Sequence, residues 1–481
     1  MCKLLFRVPL MWLMAIVLLG GCALGSEYKR PGLDLPEQWP EAIDSSMTSG
    51  DEWREWWQRY HDPVLDDLVE AALEKNLDIA LAVARIREAR ASLGLTRAAE
   101  LPNVEGQGNF NRQDFGDASP IGGGGIGIVR QYRLAAELSY EVDLWGRLAN
   151  ATRAAQERLL GSAFSKDAVR LNIITNVVVT YFELRAAQEQ IDITQNTIKA
   201  REESLALEQA RLDFGASTEL ALNQAEAELE STRAELPALQ ARVHNLRRAL
   251  GILTGNTPRQ LAVNETLPES KLADIHFSTE LPSVLPSSML ERRPDVRAAE
   301  AALAAANADI GVARANWFPR LNLLAVLGTG SSQSIGNLFS GPATLWQLGG
   351  SLVQPLFDGG ARRFELEGAE VRYEIAELQY RANIRQAFIE VGDAWSLLEA
   401  ANSELEIRNR EVMALQKTVE LAQNRYQGGF SSYLEVLDAK RALFQAELQR
   451  TDAARNRLNA TASLFKALGG GWEEPETIAA G

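Results

Sequence analysis

The stretch RYQGGFSSYLEVLDAKR, from Arg425 to Arg441, decides the fold of this chain. Two glycines interrupt it in the middle of a long region that contains no proline and otherwise has helical periodicity. Because glycine accepts the backbone angles of a tight turn, this pattern predicts two long helices joined by a turn. The stretch RLDFGASTELALNQAEA, from Arg211 to Ala227, has the same arrangement. The matching pairs, all separated by one constant interval, are Arg211 and Arg425, Gly215 and Gly429, and Leu220 and Leu434.

The correspondence between the two halves extends over most of the chain. At a second, slightly longer interval the further matches are Asp78 and Asp295, Gly94 and Gly311, and Pro102 and Pro319. Intervals that stay constant within elements and change between them are what insertions in loops produce. The sequence therefore predicts an internal two-fold repeat of short helix, β hairpin and long helix hairpin. The first structural repeat covers residues 61–275, the second covers 276–470, and a C-terminal tail covers 471–481.

Apolar residues recur at every seventh position along the first long helix of each repeat, a pattern that indicates a left-handed coiled coil. The column in the first repeat is Val177, Leu184, Ile191, Ile198, Leu205 and Leu212. A second column follows the turn, at Leu222, Leu229, Leu236, Val243 and Leu250. We therefore expect the second helix of each pair to return along the first as a long coiled-coil hairpin.

Between the short and the long helices the hydrophobic period changes to alternation, which indicates β-strands. In RQYRLAAELSYEVDLWG, residues 130–146, one predicted face carries Tyr132, Leu134, Ala136, Leu138, Tyr140 and Val142. Two strands per repeat make four per chain, and their length of about ten residues suits a strand that spans a membrane. Four strands cannot close a barrel, and open edges are not tolerated in lipid. Either several chains pool their strands, or the segments are soluble hairpins.

The N-terminus predicts a secretory signal peptide over residues 1–21, with basic residues followed by an apolar run. The order Leu19-Gly20-Gly21-Cys22 is typical of a bacterial lipobox, in which the cysteine becomes acylated. Ala23 in the next position favours the outer-membrane address of such lipoproteins. We therefore predict lipidation of Cys22 and a lipidated N-terminal segment over residues 22–60.

Composition argues against several classes of function. The formal net charge of −15 argues against nucleic-acid binding. The three histidines, His61, His244 and His276, are scattered, and the sequence has no phosphate loop, cysteine cluster or serine-hydrolase elbow. GGGGIG, residues 122–127, lacks a lysine and a following helical pattern, so it predicts a turn between the first two strands. We expect no enzyme activity, no cofactor and no metal site.

Several longer motifs carry a resemblance to a known family. They are YKRP (28–31), WWQRYHDPVLDDL (56–68), VDLWGR (142–147), ERRPDVRAAEAALAAANADIGVARANWFP (291–319), LFDGG (356–360) and the opening stretch. In these motifs the chain resembles the outer-membrane factors of tripartite efflux pumps, in the TolC-like, NodT-type lipoprotein branch. The resemblance implies a mainly α fold with a membrane β-barrel, built as a homotrimer. Its four strands per chain would close a 12-strand barrel in outer-membrane lipid, and its helical hairpins would form a periplasmic tunnel.

The resemblance also implies a function, partners and site residues. The function is passive exit of substrates delivered by an inner-membrane transporter, of the RND type, through a periplasmic adaptor (membrane fusion) protein. Tyr426, Leu434, Asp438 and Arg441 match the family's periplasmic gate, with Leu434 as an apolar constriction. The tips that would contact the adaptor are Gly215, Ala216, Ser217, Gly429, Phe430 and Ser431.

Other interpretations of these residues and of the function stay open at this point. Asp438 and Arg441, three positions apart, also fit a local pair on their own helix. The first hairpin has Gln224 and Ala227 in their place, so one hairpin per chain is expected to carry the charged pair. The same tube would also suit type I protein secretion or metal efflux. A periplasmic coiled-coil adaptor lipoprotein is a further alternative, although adaptors usually have one hairpin and more strands.

Overall fold

A computed structural model describes most of the chain as helix and strand. The described residues are 27–32, 36, 55–114, 128–262, 268, 272–275, 277, 292–332, 334–338 and 344–470. The predicted signal peptide, Cys22, the glycine turn at 122–127, His276 and the tail at 471–481 lie outside them. None of the described helices combines the length and apolar character needed to cross a bilayer.

The chain divides into two compact units, and each takes segments from both halves of the sequence. The first, here called the sheet unit, comprises Met1–Gly32, Ile86–Ser162 and Ala299–Arg381. The second, the hairpin unit, comprises Leu33–Arg85, Ala163–Ala298 and Ala382–Gly481. The compact units therefore do not coincide with consecutive stretches of the chain.

The helices of the first half begin after a short 3-10 turn at Trp56–Tyr60. They are α1 (Pro63–Lys75), α2 (Leu77–Ala98), α3 (Arg147–Asp213), α4 (Glu219–Leu253) and the short α5 (Pro258–Ala262). Asp62 caps α1, because its Oδ1 accepts a hydrogen bond of 2.9 Å from the backbone N–H of Val64 and proline occupies the first helical position.

The helices of the second half are α6 (Pro294–Ala315), α7 (Ala361–Gln427) and α8 (Tyr433–Ala467). Their lengths equal those of α2, α3 and α4, at 22, 67 and 35 residues respectively. The heptad positions Val177, Leu184 and Val391 are completely buried. The predicted mainly helical fold with long hairpins is confirmed.

Four strands form one antiparallel sheet in the order β1 (Asn103–Asp114), β2 (Ile128–Val142), β3 (Arg320–Ser331) and β4 (Thr344–Val353). The register places an apolar set on one face. Its members from β1 to β4 include Val104, Phe110, Tyr132, Leu134, Ala136, Leu138, Leu321, Leu323, Leu327, Trp346, Leu348 and Leu352. The opposite face is largely polar and includes Glu105, Gln107, Asn109, Asn111, Arg133, Glu137, Asn322, Gln347 and Ser351. The predicted strands and the alternation of β2 are confirmed.

An aromatic cluster occupies the core of the hairpin unit. Trp56 and Tyr60 are completely buried. The Trp56 ring stacks on Phe465 with 5.3 Å between centroids, and Tyr60 meets Phe182 edge-on at 4.8 Å. The Tyr60 hydroxyl donates to the backbone carbonyl of Leu458 at 3.1 Å. The WWQRY segment thus packs against both the first and the last long helices of the chain.

In the sheet unit, the YKRP segment attaches to α6. The guanidinium of Arg30 donates two hydrogen bonds to the carboxylate of Glu300, at 2.6 and 2.9 Å. The Tyr28 hydroxyl donates to the same carboxylate at 3.4 Å. Burial, followed by the negative charge of Glu300, raises the pKa of Tyr28. The segment that follows the predicted anchor is therefore fixed by a two-point charged contact.

Candidate functional site

The two hairpin turns have the same backbone geometry. Gly215 and Gly429 adopt φ values of 71° and 76°, in the left-handed region that glycine tolerates. At the first turn the N–H of Ala216 donates to the carbonyl of Arg211 at 2.7 Å. At the second turn the N–H of Phe430 donates to the carbonyl of Arg425 at 2.9 Å. The backbone requirement expected at these two glycines is therefore present in the structure.

Tyr426, just before the second turn, is bonded to the first hairpin. Its hydroxyl donates to Oε2 of Glu208 at 2.7 Å, and the hydroxyl of Ser217 donates to the same oxygen at 2.7 Å. The guanidinium of Arg211 lies 4.5 Å from the centre of the Tyr426 ring. Burial, followed by the hydrogen bond to Glu208, raises the pKa of Tyr426. Because Glu208 is only 1% exposed, this carboxylate depends on hydrogen-bond donors within the protein.

A second group of charges lies farther from the turns. Arg441 on α8 pairs with Oε2 of Glu228 on α4. Arg201 on α3 binds Oε1 of the same carboxylate at 2.7 Å and the backbone carbonyl of Glu228 at 2.8 Å. Glu228 and Arg201 are 5% and 6% exposed. Burial lowers the pKa of Arg201, and the Glu228 carboxylate opposes that shift. One buried carboxylate thus joins three helices from both hairpins.

Lys440 and an open cavity complete the site. The ammonium of Lys440 donates to the hydroxyl of Ser204 on α3 at 2.7 Å. Burial, followed by the positive charge of Arg201, lowers the pKa of Lys440. A cavity of about 300 Å³ beside the charges is lined in part by Glu228, Arg441 and Phe444. Such an arrangement suits reversible attachment of one hairpin to another, since the contacts of Tyr426, Lys440 and Arg441 join side chains of separate helices.

Comparison with known proteins identifies the chain. The model of the outer membrane efflux protein family matches residues 68–256 and again residues 285–470. The chain belongs to the outer membrane efflux protein family. This efflux protein is therefore a channel of the outer membrane, and the alternative of a periplasmic adaptor is excluded.

Relatives with different names match the efflux protein equally well. It is 33% identical over 463 residues to the cation efflux system protein CusC of Escherichia coli O6:H1, covering 95% of this chain and 97% of CusC. It is also 33% identical over 471 residues to the solvent efflux pump outer membrane protein SrpC of Pseudomonas putida, covering 95% and 97%. Among solved structures, the outer-membrane channel OprN superposes with a TM-score of 0.86 at 29% identity, over 94% of this chain and 100% of OprN.

Two of the four predicted gate residues of the efflux protein bind buried carboxylates of the first hairpin, at separate positions along it. Tyr426 and Arg441 both contact the first hairpin. Leu434 is 48% exposed, while its neighbours Val436 and Leu437 are buried. Asp438 is exposed, and Arg441 pairs with Glu228 instead of forming the local pair with Asp438. At the predicted tips of the efflux protein, Phe430 is 80% exposed and Ser217 binds Glu208.

Sequence reasoning missed the buried charged residues of the first hairpin in this efflux protein. Glu208, Glu228 and Arg201 lie on the first hairpin, far before the second hairpin in the sequence. A usable signal existed in the correspondence between the two hairpins, because these charged residues align with Ala422, Ala442 and Leu415. A position that is charged in the first hairpin and apolar in the second indicates that the two hairpins have different roles at that position.

Proposed function

We propose that three copies of this outer-membrane efflux channel pool their sheets into a 12-strand barrel, which continues into a periplasmic tunnel of helical hairpins. The observation that carries the proposal is the sheet itself. One of its faces is apolar, the other is largely polar, and each of its two outer strands pairs with a single strand among the described residues. A closed barrel with apolar residues toward lipid satisfies all three features, whereas an open four-strand sheet in lipid does not.

The internal repeat belongs to the same proposal, with repeats over residues 61–275 and 276–470. Equivalent contacts at the ends of α4 and α8 support it. The amide of Asn76 donates to the carbonyl of Leu253 at 2.8 Å, and at the corresponding position of the second half the guanidinium of Arg293 donates to the carbonyl of Ala467 at 2.9 Å. The equal lengths of three helix pairs support it as well. A duplicated unit of this kind gives six similar hairpins in a trimer.

The gate is proposed to lie at the hairpin turns. Tyr426 and Arg441 attach the second hairpin to buried carboxylates of the first, which stabilises the closed arrangement. Charge-assisted hydrogen bonds of this kind contribute about 1.5–3 kcal/mol each, so their loss in three chains favours opening. Leu434 and Asp438 are exposed within a single chain. They can therefore narrow the tunnel together with the same residues of the other copies.

The exposed tips are proposed to dock a periplasmic adaptor (membrane fusion) protein, which links the channel to an inner-membrane transporter of the RND type. Phe214 and Phe430, one at each turn, are 89% and 80% exposed. Cys22 is proposed to carry the lipid anchor. CusC is named for cations and SrpC for solvents, although both match this chain at 33% identity. The channel is therefore proposed to give passive exit, without catalysis, cofactor or metal, to cargo selected by the transporter.

Conductance of the purified channel in planar bilayers tests the gate. The variant Arg441→Ala is compared with wild type and with Arg410→Ala, which removes an exposed arginine from α7. We expect low conductance for wild type and Arg410→Ala, and a severalfold increase for Arg441→Ala, with heat-resistant trimers in all three. Equal conductance in all three, with trimers intact, contradicts the gate. A protein that stays monomeric in the outer membrane contradicts the barrel.

A further inference from the structure

The cavity of about 300 Å³ beside the buried charges lies between the two hairpins. The first hairpin contributes Arg201, Ala227 and Ser231 to its wall, and the second contributes Arg441 and Gln445. Pockets for small molecules have volumes of about 300–1,000 Å³ and combine apolar surface with a few polar groups. The cavity therefore has the size and the composition of a site for a small ligand.

Arg201 brings an unused hydrogen-bond donor to the wall of this cavity. Its side chain is 6% exposed, and its two amino groups bind the backbone carbonyl and the carboxylate of Glu228 at 2.8 and 2.7 Å. Its Nε is buried and has no hydrogen-bond partner among the described residues. Because an unpaired buried donor on a charged group is costly, a ligand that supplies an acceptor there would be stabilised.

Arg441 offers further donors from the opposite hairpin. Its Nε pairs with Glu228, and 52% of its side chain is exposed. In the part of the chain that the structure describes, its Nη1 and Nη2 have no partner. A guanidinium carries five N–H donors in a planar fork, so this second edge is free to hold another carboxylate. Ser231 and Gln445, which line the same cavity, add neutral donors.

The charges around the cavity limit a ligand to one negative charge. The wall contains two arginines and two glutamates, Glu228 and Glu235, and both arginines already bind Glu228. Lys440 lies close enough to interact with the charge of Arg201 and adds one positive charge. A ligand with a single negative charge balances this excess, whereas Glu235 would repel a second one.

We propose that the cavity binds a small organic monocarboxylate, with its charged group on the free edge of Arg441 and its apolar part against Ala227 and Phe444. Such a ligand contacts both hairpins at once, so it binds their attached arrangement better than a separated one. It therefore acts as an inhibitor that holds the hairpins together. The inhibition rests on the proposed gate, whereas the binding site does not.

Benzoate is the probe, added to the full-length protein purified in detergent. Benzyl alcohol and benzylamine are its neutral and cationic counterparts, and saturation-transfer NMR measures the binding of each. We expect saturable binding of benzoate alone, above the background that benzyl alcohol shows through partition into detergent. Equal binding of benzyl alcohol and benzoate would reject a carboxylate site. Tighter binding of benzylamine would reject it as well, because the glutamates would then determine the preference.

Two substitutions in the wall locate the bound benzoate. Ala227→Met fills the cavity from an exposed position and should abolish binding, while Gln445→Glu adds a negative charge and should weaken binding about tenfold. Ala234→Met, at an exposed alanine of the same helix that does not line the cavity, is the matched control and should bind as wild type does. Undiminished binding in both wall variants would place benzoate elsewhere and overturn the proposal.

Amide hydrogen exchange tests whether the ligand joins the hairpins. We expect benzoate to slow exchange in α4 and α8 near the cavity in wild type and Ala234→Met, but not in Ala227→Met. Binding without slower exchange would reject the inhibitory role and leave the site. Slower exchange without a fall in channel conductance would contradict the proposed gate and leave the site standing.

Discussion

The two hairpin turns share a backbone and differ in chemistry. Both place a glycine in the left-handed region and close it with equivalent backbone hydrogen bonds. The first hairpin contributes buried carboxylates, Glu208 and Glu228, whereas the second contributes the donors Tyr426 and Arg441. The backbone of each turn therefore serves to end one helix and begin the next. The side chains around the turns serve to attach one hairpin to the other.

The largest effect is expected for Glu228→Gln, which leaves the buried Arg201 without a compensating charge. Removing one partner of a buried ion pair costs about 3–5 kcal/mol. We expect amide hydrogen exchange in α4 and α8 near the site to accelerate about a hundredfold or more. Glu226→Gln, an exposed acid on the same helix, is the matched control. Equal exchange in the two variants would show that Glu228 does not hold the hairpins together.

A smaller effect on stability is expected at the ends of the two hairpins that lie away from the turns. Gly255 and Gly469 have φ values of 76° and 80°, so alanine is strained at both, by about 1–2 kcal/mol. A Cβ at Gly255 would lie 2.3 Å from the carbonyl oxygen of Lys75, whereas one at Gly469 would lie 3.0 Å from Arg293 Cγ. We expect Gly255→Ala to lower the melting temperature of the protein more than Gly469→Ala. A larger fall in melting temperature for Gly469→Ala would mean that the structure around Gly469 accommodates an added methyl group less well than the structure around Gly255.

Alkaline pH is expected to act on the contact between the hairpins through Tyr433, which lies in a buried cluster with Ala221 and Ala225 of the first hairpin. Burial, followed by the negative charge of Glu208, raises the pKa of Tyr433 to about 12, above the value of about 10 for an unfolded tyrosine. Its contribution to stability is therefore fully present below about pH 10 and is lost as the pH rises toward 12. We expect the attachment between the hairpins to weaken in this window, so the conductance of the channel should rise.

Tyr433→Phe checks the assignment of that pH dependence. Phenylalanine has no proton to lose, so the variant should show a shallower change in conductance between about pH 10 and 12. The pKa of Tyr426 is raised too, so part of the dependence is expected to persist in the variant. An unchanged profile in Tyr433→Phe would assign the whole effect to other groups.

The smallest expected effect compares the caps that follow the two turns. The hydroxyl of Thr218 accepts a hydrogen bond of 3.3 Å from the N–H of Ala221, whereas Ser432 makes no side-chain cap bond. Loss of a cap costs about 0.5–2 kcal/mol. Thr218→Ala should therefore destabilise the start of α4 measurably in local hydrogen exchange, while Ser432→Ala changes α8 little. Equal effects would indicate that the turns are held in the same way.

Sequence alone predicted the helices, the four strands and the glycine turns, because each depends on local periodicity or on backbone angles. In the heptad column, Val177 and Leu184 are completely buried, whereas its later members Ile191, Ile198, Leu205 and Leu212 are half-buried. The partner of Arg441 could not be predicted from its neighbours in the sequence. Its neighbour Asp438 offered a partner within one helical turn, yet the guanidinium pairs with Glu228, 213 residues away. Only the packing of one hairpin on another brings these two charges together.

The burial of the WWQRY segment determines when this part of the protein can fold. Tyr60 bonds to a carbonyl 398 residues later, and Trp56 stacks on Phe465. Contacts of such long range form only after the intervening chain is available, and they slow folding. A chain emerging from its N-terminus therefore carries uncovered tryptophans until its final long helix arrives. That interval is when aggregation and proteolysis compete with assembly, so chaperone binding during transit would act on this segment first.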